Sequence, residues 1–128
     1  MFERHGRRSK ICVSITEAFP LCGPALRPVC LKVEVTNQGK KPVVLTRVNF
    51  LLNGRVLLVT HPTSNVQFPI ELQPGQSCWI IEASAEIAKA IKGAELERKV
   101  RLTGICQDEF HENYLSEEFE FDVDAWGE

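Results

Sequence analysis

Ten side chains on three polar stretches hold most of the chemistry this sequence offers. Asp108, Glu109, Phe110, His111 and Glu112 form one run; His61, Asn65 and Phe68 fall in a second, proline-bearing stretch; Lys40 and Lys41 follow Asn37-Gln38-Gly39. Asp108-x-x-x-Glu112 with His111 between them is a donor set suited to zinc or calcium. It is not an EF-hand, whose twelve-residue loop fixes every ligand. A hydrophilic hairpin tip accounts for the same residues without an ion, so neither a metal nor another cofactor is expected. Phe68 and Phe110 are candidate anchors for a protein partner if they stand in solvent. The plainer reading of both rings is that they fold back over the core.

These residues need strands to position them. Val29, Leu31, Val33 and Val35 alternate with Cys30, Lys32, Glu34 and Thr36, the period-two pattern of a strand with one dry face. Expected strands cover Lys10–Thr16, Val29–Thr36, Val43–Leu52, Arg55–Thr60, Gln76–Ala83, Arg98–Cys106 and Tyr114–Asp124. Val44, Val48, Phe50 and Leu52 are expected on the core face of the third. In the last, Phe119, Phe121 and Val123 are expected inward, with Glu118, Glu120, Asp122 and Asp124 outward. Asn53-Gly54 marks a two-residue hairpin. Ala18–Pro28 reads as a proline-bearing connection, and His61–Gly75 as mostly loop, with a short edge strand available in Val66–Leu72. Ser84 is placed to cap a helix running to Ile91, with Gly93 just beyond it. On this topology the loops Asn37–Lys41, His61–Pro69 and Asp108–Asn113 share one rim, which gathers all ten side chains.

Composition sets the outer limits. The chain has 128 residues, 44% of them apolar, and a formal net charge of −2. That fits one domain with a real core and gives no global pull toward nucleic acid or membranes. Residues 1–10 read as a basic tail carrying Arg4, Arg7, Arg8 and Lys10, ahead of a single domain at 11–126. Nine acidic side chains and no Lys or Arg lie between Asp108 and Glu128. Nucleic-acid binding is not expected, because the aromatics are not interleaved with basic residues. No apolar run is long enough for a leader or a membrane span, so a cytoplasmic protein is expected. No G-x-S-x-G elbow and no glycine-rich phosphate loop is present, and the chain does not read as an enzyme.

The order VEVTNQGKKPV, then VNFLLNG, then the L-x-P-G of Leu72–Gly75 resembles small immunoglobulin-like β-sandwich modules of bacterial proteins, including the cell-adhesion-related type. The resemblance spans about Ile11 to Trp126. It implies an immunoglobulin-like antiparallel sandwich, and with the elements read above the expected fold is all-β, about seven strands with one short helix between strands five and six. It carries over no catalytic residue. Immunoglobulin domains join their second and sixth strands by a disulfide. Here Cys30 would point outward with Lys32 and Glu34, and Cys106 inward unless Gly104 marks a bulge, so the two sulfurs cannot meet. Cys12, Cys22, Cys30, Cys78 and Cys106 are all expected as free thiols. The function expected is a non-catalytic interaction module working through the rim or an exposed strand edge. Its partner would be another protein or a second copy of itself. The alternatives are a metal-dependent small hydrolase using His61, Asp108 and His111, or a structural subunit of a larger assembly.

Overall fold

The structure, a computed structural model, describes residues 10–18, 30–58, 60–93 and 99–122. The basic tail at Arg4–Arg8, the connection through Pro20, Pro24 and Pro28, Cys22, Arg98 and the closing Val123–Trp126 lie outside them. In chain order the elements are β1 (Ile11–Ala18), β2 (Cys30–Asn37), β3 (Val43–Leu52), β4 (Val56–Leu57), β5 (Thr63–Ser64), β6 (Ile70–Leu72), β7 (Ser77–Ala83), α1 (Ser84–Gly93), β8 (Lys99–Asp108), β9 (Asn113–Leu115) and β10 (Phe119–Asp122). All strand pairings are antiparallel. One sheet runs β1-β2-β7-β5. The other runs β10-β8-β3-β4, with β6 also on β3 and β9 also on β8.

The two sheets pack as an open sandwich because each strand has one dry face. Val33, Val35 and Ile80 from one sheet meet Phe50, Leu102 and Phe121 from the other, all buried. Ile87, Ala88 and Ile91 of α1 close the same core. Six large side chains of this kind stabilise the fold by roughly 2 kcal/mol each.

Among the described residues ten strand segments stand where seven were expected, for three reasons. Thr63–Ser64 forms a strand on the edge of β7 within what reads as loop. Ile70–Leu72 does pair, with β3. The last strand is broken. Leu115 faces Ile105 while Phe119 faces Leu102, so four steps on one strand match three on the other. That is a bulge. It turns Tyr114 inward, nearly fully buried, and leaves Leu115 in solvent.

A second bulge, between Leu45 and Arg47, corrects the expected face of β3. Val43 and Leu45 are buried, and Val44 sits on the outer face instead, because one extra residue reverses the alternation. Beyond it Val48, Phe50 and Leu52 point inward as expected.

Asn53 (φ 51°) and Gly54 (φ 72°) are both left-handed, as a type I′ turn requires, but Leu52 pairs with Val56, so the connection is the three residues 53–55 rather than two and β4 begins one residue later than expected. Asn53 also fastens the turn to β8: its amide donates to Arg101 O at 2.7 Å, and its Oδ1 accepts from Arg101 N at 2.9 Å. The expected serine cap of α1 is overturned. Ser84 is itself the first helical residue, so it stands one place past the cap, and its buried hydroxyl has no partner. Gly104 is no bulge either. It lies in regular pairing opposite Phe50, with Val33 and Val13 of the facing sheet against it.

Candidate functional site

One end of the sandwich is built around two side chains. The chain leaves β2 at Asn37 and enters β3 at Val43. β6 returns to the same end, with Leu72 opposite Val43, and the turn at 73–76 leads into β7. Asn37 is fully buried among these crossings. Its Nδ2 donates to Lys41 O at 2.8 Å and Leu72 O at 3.0 Å, and its Oδ1 accepts from Gly39 N at 2.9 Å. Its backbone joins in: Asn37 N donates to Gln76 O at 3.0 Å, and Asn37 O accepts from Gly75 N at 2.7 Å. One residue thus binds the β2–β3 loop to the β6–β7 turn.

The second side chain is Asp108, the last residue of β8, buried at the same end opposite Leu45. Its Oδ1 accepts from Phe110 N at 2.9 Å and Glu112 N at 3.0 Å, and its Oδ2 accepts from the Tyr114 hydroxyl at 3.0 Å. An aspartate bonding the amides two and four residues on is the local turn chemistry that suits this residue type. Asp108 N donates to Glu112 O and His111 N to Asp108 O, both at 3.0 Å, while His111 sits at φ 68°. Glu109 N reaches across to Val44 O at 3.0 Å. The 109–112 loop is thereby fixed to both β8 and β3. At its tip Phe110 is 76% exposed.

The ten residues singled out from the sequence divide accordingly. Lys40, Lys41, Glu109, Phe110 and His111 are exposed at this end, and Glu112 is half-buried there. Asp108 is there too, but as the buried hub of the loop. His61, Asn65 and Phe68 are not brought to them. Thr63 pairs with Ile81 and Ser64 with Ile80, well along β7 from Ser77. The segment therefore climbs the flank of the sandwich, and the turn at 73–76 takes its place at the rim. Asn65 serves β7, its Oδ1 accepting from Trp79 N at 2.8 Å. Phe68 packs against the core. The two candidate aromatics thus part: one ring folds in, the other stands out. No group of three or more His, Cys, Asp or Glu that could hold a metal occurs among the described residues.

Two residues that matter most here, Asn37 and Tyr114, were not among the ten. The signal for Asn37 was present in the sequence, as the Asn that precedes Gly39 at a strand end. Tyr114 gave none, because an unbroken final strand would face it outward.

The thiols sort as strand parity requires. Cys12 is exposed, Cys30 half-buried, and Cys78 and Cys106 buried, all four free. Burial raises the Cys78 pKa to about 11, with Glu34's charge adding to it. Burial likewise raises Cys106 to about 12, with smaller contributions from Cys78 and Asp108. Cys30 is raised by burial and by Glu82. Since a folded pKa above the unfolded one favours the protonated native state, stability from these two buried thiols is complete below the ordinary thiol range. It falls as pH rises toward their folded values. Thiol labelling read by peptide mass spectrometry should therefore modify Cys12 in the native protein and leave Cys78 and Cys106 untouched until denaturant is added. Native-state labelling of Cys106 at a rate near that of Cys12 would contradict the packing described.

Comparison with protein-family models, characterised proteins and solved structures finds no match to this chain. No helix among the described residues is long and apolar enough to cross a membrane.

Proposed function

We propose that the chain is a non-catalytic binding module that docks a protein partner through the end carrying Phe110. One observation carries this reading. A large aromatic ring is held in water by a loop whose backbone is pinned at both ends, so the ring is presented without serving the core. Aromatic residues dominate the energetics of protein interfaces, and a fixed loop loses little conformational entropy on capture. Lys40, Lys41, Glu109 and His111 supply a polar margin around it, the usual arrangement of an apolar anchor within a polar rim.

The finer fold reading, an immunoglobulin-like domain, draws support from strand order. The order β1-β2-β7-β5 facing β10-β8-β3 follows the ABED and GFC sheets of that fold. Loops between strands are where such sandwiches place their contacts.

The test is Phe110→Ala, with thermal melting and partner binding measured together. A photo-crosslinking residue at position 110 identifies the partner in cells, and its affinity for the purified chain is then measured. The expected result is a melting temperature within a degree or two of wild type and an affinity roughly 30-fold weaker, the size of a 2 kcal/mol anchor. Loss of melting temperature with affinity unchanged would return Phe110 to the core and end the proposal. The hydrolase alternative gains nothing from the geometry, since both Asp108 oxygens already accept hydrogen bonds, Oδ1 from the loop and Oδ2 from Tyr114 of β9, and His61 stands apart. A structural subunit of a larger assembly would use the same rim, and the partner's identity separates it from a free-standing binder.

A further inference from the structure

The outer face of the six-stranded sheet carries an apolar stripe that the core does not need. Directly opposed residues of adjacent strands share a face, so the registers Leu57–Leu51–Thr103 and Ile105–Leu115 place these side chains together on the outside. Leu57 is 38% exposed and Leu115 56%, while Leu51 and Thr103 between them are already buried; Leu51, Leu57 and Ile105 line a shallow trough of about 160 Å³ whose polar walls are Arg47, Asn49, Gln107 and Asn113. Leu115 is there only because of the bulge after it, a feature that re-aims side chains. Apart from Phe110, these two leucines are the exposed large hydrophobic residues among those described.

The charge around the stripe is divided. Glu118 and Glu120 line the β10 edge. Arg55 lies in the β3–β4 turn at the opposite edge, at the same level, and with Asn53, Lys99 and Arg101 it lines one open cleft whose far side is Glu120. Glu118 approaches Arg101 of its own sheet at 3.8 Å with both side chains 62% exposed, a pair weak enough to exchange partners. A two-fold axis running parallel to the strands would lay this face on itself. It would set the acidic edge of each copy against the basic edge of the other, with the leucines between. Such a contact is isologous and closed. Four strand columns about 4.8 Å apart and a face about 30 Å long offer roughly 600 Å² per copy. The pair would bury about 1,200 Å², which reaches the range of specific interfaces.

We infer that this face is a homodimer interface, its occupant a second copy of the same chain. Its test is independent of the rim. Sedimentation equilibrium of the full chain is expected to give a reversible dimer. Leu115→Glu is expected to weaken it by about tenfold or more, with thermal melting unchanged. Leu57→Glu serves as the second variant. Glu120→Lys and Arg55→Glu are each expected to weaken self-association, and an equimolar mixture of the two is expected to restore a heterodimer, because both edge contacts become attractive again. A wild-type chain that stays monomeric to millimolar concentration overturns the inference. So does a dimer indifferent to Leu115→Glu and Leu57→Glu, or a mixture that fails to restore association. Dimerisation with Phe110→Ala unaltered in partner binding would defeat the rim reading and leave this one standing.

Discussion

Gly104→Ala is expected to destabilise the domain by about 1–3 kcal/mol, and Gly104→Val by more, without any change at the rim. Gly104 has no unusual backbone angle to protect. Its requirement is space. A Cβ at this position would lie 2.6 Å from Val33 Cγ1 and 3.1 Å from Val33 Cγ2, and 3.3 Å from Val13 Cγ1. Val33 is fully buried at the centre of β2, so its methyls have little room to yield without displacing their neighbours. The clash is specific, and so is its cure. Val33→Ala alone should cost roughly 2–3 kcal/mol through the cavity it leaves. Combined with Gly104→Ala it should cost clearly less than the sum of the two, because the added methyl fills space the valine vacated. Chemical denaturation of the four proteins measures the coupling. Strict additivity would mean that the sheets do not meet there.

Asn37→Ala is expected to cost about 3 kcal/mol or more. The variant removes a buried amide and orphans three backbone groups: Lys41 O, Leu72 O and Gly39 N. A buried polar group left without its partner costs about 1–3 kcal/mol, and water reaching the Lys41 side would relieve part of the total. Asn37→Asp is nearly as damaging in expectation. It keeps the acceptor for Gly39 N, loses both donors, and turns a carboxylate toward two carbonyls. Asn65→Ala is the matched control. It deletes one exposed hydrogen bond to Trp79 N and should cost about 0.5–1 kcal/mol. A melting temperature for Asn37→Ala close to that of Asn65→Ala would remove Asn37 from its place as a fastener.

Much of the architecture was legible because alternation and turn chemistry are local. Val33, Phe50 and Phe121 are buried as period two requires, β3 has the expected bounds, and Asn53-Gly54 turns as that pair must. The cysteine at 30 and the one at 106 face different ways, as parity alone indicated. What failed were the places where one residue of extra length breaks the count. The bulge at Leu45–Arg47 moved Val44 to the outer face, and the one before Phe119 moved Tyr114 inside and Leu115 out. Neither carries a glycine or proline to announce it. Only part of the expected rim lies in one place, for a related reason. His61, Asn65 and Phe68 sit on a segment whose short strand, Thr63–Ser64, is too brief to leave a pattern, so its path along the flank is set by pairing with Ile80 and Ile81 rather than by its own residues. Asp108 was chosen for its charge and proved to matter for its hydrogen bonds.

The single surplus residue between Leu115 and Phe119 governs both faces of the molecule. It brings the Tyr114 hydroxyl inside to Asp108, which shapes the Phe110 loop, and it pushes Leu115 out beside Ile105. A one-codon deletion there would keep every strand and nearly the whole composition. It would nonetheless exchange the two side chains, burying Leu115 and turning Tyr114 out, which makes the spacing of this segment, more than its letters, what sets the two faces.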